Sequence, residues 1–532
     1  MRKSAILFAI GKLMQVLGGV LLVPLGIAVW DYRAHEVARI AAAPEVIGFV
    51  CSILISLILG TILVVLFRRG RELQGAREGY AIVALGWIWM TFLSCLPLFF
   101  YLTDVNGMSF DHVIAGFTDA YFEIMSGFTT TGATILTDIE AVPRSLLFLR
   151  SLAHWLGGMG IITLAIVIFP SMGVTAYQMF RGEVPGARPD KLRPRLSQTV
   201  SILWGVYGLF TAVETVLLWA GGMTLFEAVC HAFATMATGG FSTMNNSIAA
   251  YGSDFIHWVI IFFMYLAGVN FLLHFRALRG DFETMYRNRE FVFYNGVIAV
   301  GIILVTSVLY FHGLAPKEIA VDHFRHDRMS ALEFDDHYAN QEAEIDGLYS
   351  CIRTAAFQVV AIVTTTGFAT ADFDMWPDLV RFLLVFFMFF GGCLGSTGGG
   401  MKMLRIMIVF KVAWNQLRKM TQPRLVAPVK VGDQVIDDDR VVNIVAFFIL
   451  FTGLFIMTGF LMTFFVPDLT TAVACSIATI GNIGPGLAGI GATENYAWIP
   501  LPGKWILVIS MLLGRLEIFT VLIMFRPSVW RK

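Results

Sequence analysis

The chain has 532 residues, 57% of them hydrophobic and only 14% charged, where soluble domains carry roughly 25% charged residues. So much apolar surface cannot be hidden from water without lipid, which excludes a soluble globular protein and predicts a polytopic membrane protein. Basic and acidic residues balance at 38 each, so nothing in the charge points to nucleic acid, and membrane lipid is the expected surrounding.

The N-terminus, "MRKSAILFAIGKLMQVLGGVLLVPLGIAVW", has a basic start, and "AAAPE" at 41–45 resembles a cleavage site. Its apolar run from Ala5 to Trp30 exceeds the ~7–15 residues of a signal-peptide core, so it is expected to remain as the first of ten spans. The others fall at about 46–67, 79–101, 145–170, 198–220, 256–277, 291–313, 378–400, 441–465 and 504–526. Each is near or above the ~20 residues needed to cross the hydrocarbon as helix. Shorter apolar segments near 112–128, 224–237, 348–363 and 469–479 read as half-helices that enter and return. The six cysteines (Cys51, Cys95, Cys230, Cys351, Cys393, Cys475) lie mostly inside apolar runs. They have neither metal-site spacing nor a disulfide framework, and read as buried inert thiols.

Positive charge sets the expected orientation. Arg68, Arg69, Arg71 and Arg77 follow the second span, Arg181, Arg188, Lys191, Arg193 and Arg195 the fourth, and Arg276, Arg279, Arg287 and Arg289 the sixth. Eight basic residues lie between Lys402 and Arg440, after the eighth. Even-numbered exits are therefore expected to be cytoplasmic, with both termini inside and every half-helix entering from outside. The longest opposite loop, 314–346, holds nine acidic residues against three basic ones.

From the third span on, the order span, half-helix, loop, span recurs four times. The loops read "TTTGAT" (129–134), "MATGGFST" (236–243), "TTTGFAT" (364–370) and "IGNIGPG" (480–486). Aligned on Gly132, Gly239, Gly367 and Gly484, they mark a repeated supersecondary unit; the fourth copy aligns on its glycine alone. The expected divisions are two N-terminal helices over 1–72 and units at 73–196, 197–290, 291–436 and 437–532. The third unit carries the acidic insert 314–346 and a glycine-rich loop at 391–400.

Non-helical backbone at membrane depth survives only where protein buries it or a watery path lines it. Four such loops entering from one face can converge on one axis. Glycine turns a carbonyl inward without a Cβ penalty, threonine adds hydroxyl acceptors, and a ring of such oxygens replaces the hydration shell of an alkali cation. The loops hold no carboxylate, so a divalent-cation cage is not expected. Neutral oxygens suit a large monovalent cation, hence potassium. The negative C-terminal ends of the half-helix dipoles point at the same place.

With these loops, the motifs "SGFTTTGAT", "HWLGGMGI" (154–161), "TGGFST" (238–243), "GGCLGSTGGGMK" (391–402) and "GNIGPG" (481–486) make the chain resemble the Trk/Ktr/HKT superfamily of potassium transporters. It most resembles the bacterial TrkH branch, since two spans precede the first unit, unlike the eight-span KtrB branch. The resemblance covers nearly the whole chain. It implies an all-α polytopic membrane protein with four span–pore-helix–span repeats around a pseudo-fourfold pore, plus two extra N-terminal spans. It implies potassium uptake across the bacterial inner membrane. The filter oxygens carry over to Thr130, Thr131 and Gly132; to Ala237, Thr238 and Gly239; to Thr365, Thr366 and Gly367; and to Asn482, Ile483 and Gly484. In related plant proteins a serine at the first glycine goes with sodium transport, so Gly132 favours potassium. The family also implies a homodimer and a cytosolic TrkA-like nucleotide-binding regulator as a separate polypeptide, where nucleotide acts. No cofactor beyond the transported K⁺ is implied. The acidic insert is longer than the family leads one to expect, and reads as a solvated loop or a cation-concentrating vestibule.

The eighth span contains Gly391, Gly392, Gly395, Gly398, Gly399 and Gly400, with Ser396 and Thr397 among them. Each glycine weakens a helix by up to ~1 kcal/mol relative to alanine, so the span is expected to break. The resemblance makes this an intramembrane gate beneath the filter. Arg515, in "MLLGRLEIF", is a charge at mid-span, which is costly and usually functional. Its plain reading is a structural Arg–Glu contact between helices. The family's pattern makes it a cation barrier working with Gly392, Gly395, Ser396, Thr397, Gly398 and Gly399. Lys402 reads as a similar cation or a cytoplasmic anchor. Asp119, Glu123 and Glu227 are expected to bond backbone or face the outer vestibule, and His154 and His231 are isolated. No nucleophile–base set, P-loop or dinucleotide fingerprint is visible, so no catalytic residue is assigned. Two alternatives stand beside potassium uptake: a symporter driven by Na⁺ or H⁺, on which the residues are silent, and a membrane-embedded redox or enzyme subunit, which lacks the ligands it needs.

Overall fold

The computed structural model describes residues 2–33, 43–70, 76–106, 109–163, 193–317, 331–425, 427–432 and 434–530. Arg71, the end of the fourth expected span with Arg181, Arg188 and Lys191, and the 318–330 part of the acidic insert lie outside the described residues.

The protein is nearly all helix. The N-terminal region contains α1 (Lys3–Val20), α2 (Leu22–Arg33) and α3 (Pro44–Leu66). Then come α4 (Ala76–Ser94), α5 (Leu96–Asn106), the half-helix α6 (Phe110–Phe128) and α7 (Arg144–Thr163). Next are α8 (Arg193–Ala220), the half-helix α9 (Leu225–Met236), α10 (Asp254–Ala267), α11 (Phe271–Leu278) and α12 (Phe282–Arg287). They are followed by α13 (Arg289–His312), α14 (Ala331–Glu344), the half-helix α15 (Gly347–Val363), α16 (Asp378–Phe387) and α17 (Met403–Thr421). A two-stranded antiparallel ribbon, β1 (Lys430–Val431) and β2 (Gln434–Val435), follows. The chain closes with α18 (Asp438–Met462), the half-helix α19 (Leu469–Ile480), α20 (Leu501–Arg515), α21 (Phe519–Leu522) and α22 (Pro527–Trp530).

Among the described residues, six helical stretches are long and apolar enough to cross a membrane by themselves, and nine if each of three sharply bent pairs counts as one. The sequence predicts ten. Eight of the nine fall on expected spans and the ninth, the bent pair Phe334–Glu344 and Gly347–Val363, contains the half-helix α15; the two expected spans without a counterpart are the fourth, where α7 is described only to Thr163, and the eighth, where α16 stops at Phe387. The break in the eighth span follows from its glycines. Two others were not anticipated. The sixth span bends by 105° between α10 and α11, and the tenth by 109° after Arg515. In the tenth, Glu517 and Ile518 both take left-handed φ, 57° and 50°, which for a β-branched isoleucine is a strained conformation.

Outer surfaces and inner contacts follow from the lack of a hydrophobic drive between helices in lipid. Large apolar side chains such as Phe311, Phe382 and Trp414 are exposed. Close crossings use small residues instead. A Cβ on Gly11 would stand 2.8 Å from the Gly60 carbonyl oxygen, and one on Gly60 2.9 Å from that of Gly11, so α1 and α3 pack backbone to backbone. Five of the six cysteines are buried. The half-helices are the most enclosed elements: every residue from Ala120 to Phe128, from Ala355 to Val363 and from Ala474 to Ile480 is buried.

Candidate functional site

Three of the four half-helices are capped by a side chain at their starts, α15 having no such bond from Asp346, and all four end alike. Ser109 Oγ accepts the His112 N–H at 3.3 Å, and Asp468 Oδ1 accepts that of Thr471 at 2.7 Å. Thr224 and Glu227 form a reciprocal capping box, satisfying donors a helix start leaves orphaned. This gives Glu227 its role. At the other end each helix closes in a Schellman motif. The Thr130 N–H reaches Gly127 O at 3.0 Å and the Thr131 N–H reaches Ser126 O at 2.9 Å. Thr238 with Gly239, Thr365 with Thr366, and Asn482 with Ile483 repeat the pattern. The pivots Thr130, Thr238, Thr365 and Asn482 all adopt left-handed φ, 50°, 53°, 60° and 54°. A non-glycine residue there costs of order 1–3 kcal/mol and persists only where the surroundings hold it.

Two residues past each pivot stands a left-handed glycine: Gly132 (φ 82°), Gly240 (81°), Gly367 (77°) and Gly484 (98°). This corrects the register expected for the second loop. Gly240, not Gly239, is the counterpart of Gly132, and Thr238, Gly239 and Gly240 replace Ala237, Thr238 and Gly239 as the matching triplet. Ala237 occupies the helix-cap position held elsewhere by Thr129, Thr364 and Gly481. The consecutive glycines at 239 and 240 hid the shift, because only counting back to the helix-end hydrogen bonds tells them apart.

The four glycines close a ring. A Cβ on Gly132 would collide with Gly239 O in the second loop, one on Gly240 with Thr366 O in the third, one on Gly367 with Ile483 O in the fourth, and one on Gly484 with Thr131 O in the first. Each loop therefore abuts the next through main chain alone. The threonine hydroxyls are largely engaged. Thr129 Oγ1 donates to Met125 O at 2.7 Å and Thr364 Oγ1 to Val360 O at 2.8 Å. The Thr129–Thr131 and Thr364–Thr366 hydroxyl pairs each stand 2.8 Å apart. Asn482 Nδ2 donates to Thr131 Oγ1 at 3.0 Å, binding the fourth loop to the first. The oxygens left for a ligand are therefore chiefly backbone carbonyls.

Buried ion pairs and rings brace this ring from behind. Glu123 accepts from Arg150 Nε at 2.7 Å, from Thr134 Oγ1 at 2.9 Å and from Ile135 N at 2.8 Å. Arg150 also donates to Ser242 O at 3.3 Å and lies over the Phe241 ring. His231 bridges Glu227 O and Ser242 Oγ, and His154 stacks on Phe241 with centroids 4.1 Å apart. Tyr496 donates to Gly484 O at 2.7 Å. Asp119 pairs with Lys504. Sequence reasoning missed the partnership of Glu123 with Arg150, because nothing local links a half-helix carboxylate to an arginine on the following span.

Below the ring, the 391–400 segment folds as an irregular loop closed by the Gly391 N–H to Met401 O at 2.8 Å. Thr397 Oγ1 donates to Met236 O at 2.9 Å, at the end of α9. The Gly399 N–H donates to Thr365 Oγ1 at 2.6 Å. A Cβ on Gly398 would lie 3.0 Å from Thr364 O, and one on Gly399 would lie 2.6 Å from Gly481 O. Gly392 packs against Gly268, and Gly395 takes a φ of 79° while its carbonyl accepts the Phe271 N–H at 3.2 Å. Ser396 Oγ is buried without a hydrogen-bond partner. Arg515, 5% exposed, donates to Thr397 O at 2.8 Å and to Gly157 O at 2.9 Å. It thus joins the loop to α7, and its partner is not Glu517. Glu517 instead receives Arg405 at 2.7 Å. Lys402 is buried and donates to Gly398 O, so it belongs to the loop rather than to a cytoplasmic anchor. Among the described residues no group of three or more His, Cys, Asp or Glu could hold a metal ion.

A family model described as "Cation transport protein", TrkH, matches residues 47–532. The chain is 34% identical over the full length of both proteins to the Trk system potassium uptake protein TrkH of Salmonella typhimurium. It is 36% identical to the protein of that name from Halomonas elongata, over 91% of this chain and 92% of the relative. The crystal structure of the potassium transporter TrkH from Vibrio parahaemolyticus superposes with a TM-score of 0.81 at 29% identity, covering both chains completely. On the extent of these matches, the chain belongs to the TrkH family of cation transport proteins.

Proposed function

We propose that this protein takes up potassium across the bacterial inner membrane through a gated pore whose filter is the ring of four loops. The observation that carries the reading is the ring itself: four helix ends of the same form, each loop seated on the next through main chain, with no carboxylate in any of them. The filter residues are Thr130, Thr131, Gly132, Thr238, Gly239, Gly240, Thr365, Thr366, Gly367, Asn482, Ile483 and Gly484, with Ala237 at the inner edge. Carbonyl oxygens held by the pivots replace the ion's hydration shell, and the C-terminal ends of four helix dipoles add negative potential. The 391–400 loop with Arg515 is the gate: it contacts the ends of three half-helices and places a fixed positive charge among them. The relatives' names support potassium as the cargo. The positive-charge pattern supports cytoplasmic termini. A homodimer and a separate TrkA-like regulator complete the reading.

The test is flux in proteoliposomes holding this chain alone, with potassium, rubidium and sodium compared. Potassium and rubidium are expected to pass and sodium to lag. Equal sodium and potassium flux rejects the filter. Deleting 393–399 is expected to raise basal flux; unchanged flux in a well-folded deletion protein rejects the gate.

A further inference from the structure

One buried carboxylate holds both stems of the glycine loop at a single atom. Glu290, in the first turn of α13, is 7% exposed. Its Oε1 accepts the Leu394 N–H at 2.7 Å and the Leu404 N–H at 3.1 Å. Leu394 stands on the entering stem, and Leu404 in the first turn of α17 on the leaving one. Between them lie Thr397, Gly398 and Gly399, the residues that touch the half-helix ends. The Leu404 N–H is one of the donors that a helix start leaves without an internal partner. Lys402, the residue capping α17, makes no side-chain cap bond. Glu290 supplies that cap from another helix, where a negative charge is favoured, and with the same oxygen fastens the loop.

The two bonds have different mobility. Leu404 belongs to a continuous helix, whereas Leu394 belongs to a segment without regular structure. Carrying Thr397 and Gly398 away from the half-helix ends while α17 stays in place draws Leu394 off the shared oxygen.

We propose that Glu290 is a latch, a positioning residue that holds the glycine loop closed, and that the Leu394–Glu290 bond breaks when the loop opens. This rests on the reading of that loop as the gate. Glu290 touches neither the ring nor the ion, so it sets how often the pore opens and not which ion passes.

The test uses the whole protein in proteoliposomes and in single-channel recordings, with Glu290→Ala, Glu290→Gln and Glu290→Asp beside the 393–399 deletion. Loss of one hydrogen bond to a charged group shifts an equilibrium by roughly tenfold or more. Glu290→Ala is expected to raise unstimulated rubidium flux and open probability by about that factor. Unitary conductance and the potassium-to-sodium ratio should stay as in the wild type. Glu290→Gln, which keeps an acceptor oxygen without its charge, is expected to fall between Ala and wild type. If the Ala variant does not fold, a raised open probability in the Gln or Asp variant supports the latch, and a wild-type value in both overturns it. Wild-type flux in a stable Ala variant overturns the latch, and so does a changed ion ratio, which assigns Glu290 to the general scaffold. Raised flux on loop deletion alone means that the latch fails while the gate stands. No rise in either means that the gate reading itself is wrong.

Discussion

Alanine at Gly240 and alanine at Gly239 ought to do different things, although the two glycines are adjacent. Gly240 has φ 81°, and its added Cβ would collide with the Thr366 carbonyl oxygen, a main-chain atom of the third loop. The left-handed conformation alone costs an L-residue roughly 1–2 kcal/mol, and the collision must displace the Thr366 carbonyl of the proposed filter. A distortion of that size is worth about tenfold in ion preference. At Gly239 φ is not positive, and the added Cβ meets the ring of His154, a side chain. That clash can be removed from the other side. Replacing His154 by alanine, at a cavity cost of about 2–5 kcal/mol, is expected to restore the potassium preference of Gly239→Ala and to leave Gly240→Ala defective. The assay is the ratio of rubidium to sodium flux in proteoliposomes, with thermal stability of each variant measured alongside. Full preference in Gly240→Ala, or its rescue by His154→Ala, would refute the register and the ring built on it.

Three further outcomes follow from the same geometry. Arg515→Ala removes two hydrogen bonds from a charged group, about 1.5–3 kcal/mol each, and should raise basal flux. Arg515→Lys keeps the charge without the planar fork and should rise less; equal flux in the two would locate the effect in the guanidinium's hydrogen bonds rather than in its charge. Glu123→Ala leaves Arg150 buried and unpaired, which costs about 3–5 kcal/mol, so the melting temperature should drop well below that of Glu123→Ala combined with Arg150→Met. Equal melting of the single and double variants would show the pair to be uncoupled. The third concerns Asp374, which lies past the third loop, receives the Ala488 N–H at 3.0 Å and has Arg381 at 3.4 Å. Burial first, and then the Asp372 charge, push its carboxyl up to about 8. A folded value above the unfolded ~3.9 means the fold favours the protonated form. Stability from this group is full below about pH 4 and is lost as pH rises through about 8. The melting temperature of the wild type should therefore fall between about pH 4 and 8, and that of Asp374→Asn should not; parallel curves would remove Asp374 as the cause.

Much of the architecture could be read before folding. Spans near twenty apolar residues must cross lipid as helix because no other conformation satisfies their backbone there. Six glycines in ten residues forecast the break after Phe387 for the same local reason, helix propensity. The recurring threonine–glycine loops announced four helix ends of one kind. What local chemistry does not carry is any relation between atoms distant in sequence. The second loop's register depends on which glycine lies two residues past a left-handed pivot, and that is set by the Ala234 carbonyl and by contact with Thr366, 126 residues on. The bend at Ile518 has no forecast, since isoleucine resists that conformation and only surrounding contacts impose it. The partners of the buried charges are of the same kind. Arg515 was legible as a costly charge, but its bonds to Thr397 O and Gly157 O, and those of Glu290 to both stems of the loop, exist only once distant helices are packed. Composition and periodicity determined which segments enter the membrane, because transfer free energy is a property of each segment alone. Packing decided which oxygens face one another, because that depends on segments the chain brings together only on folding.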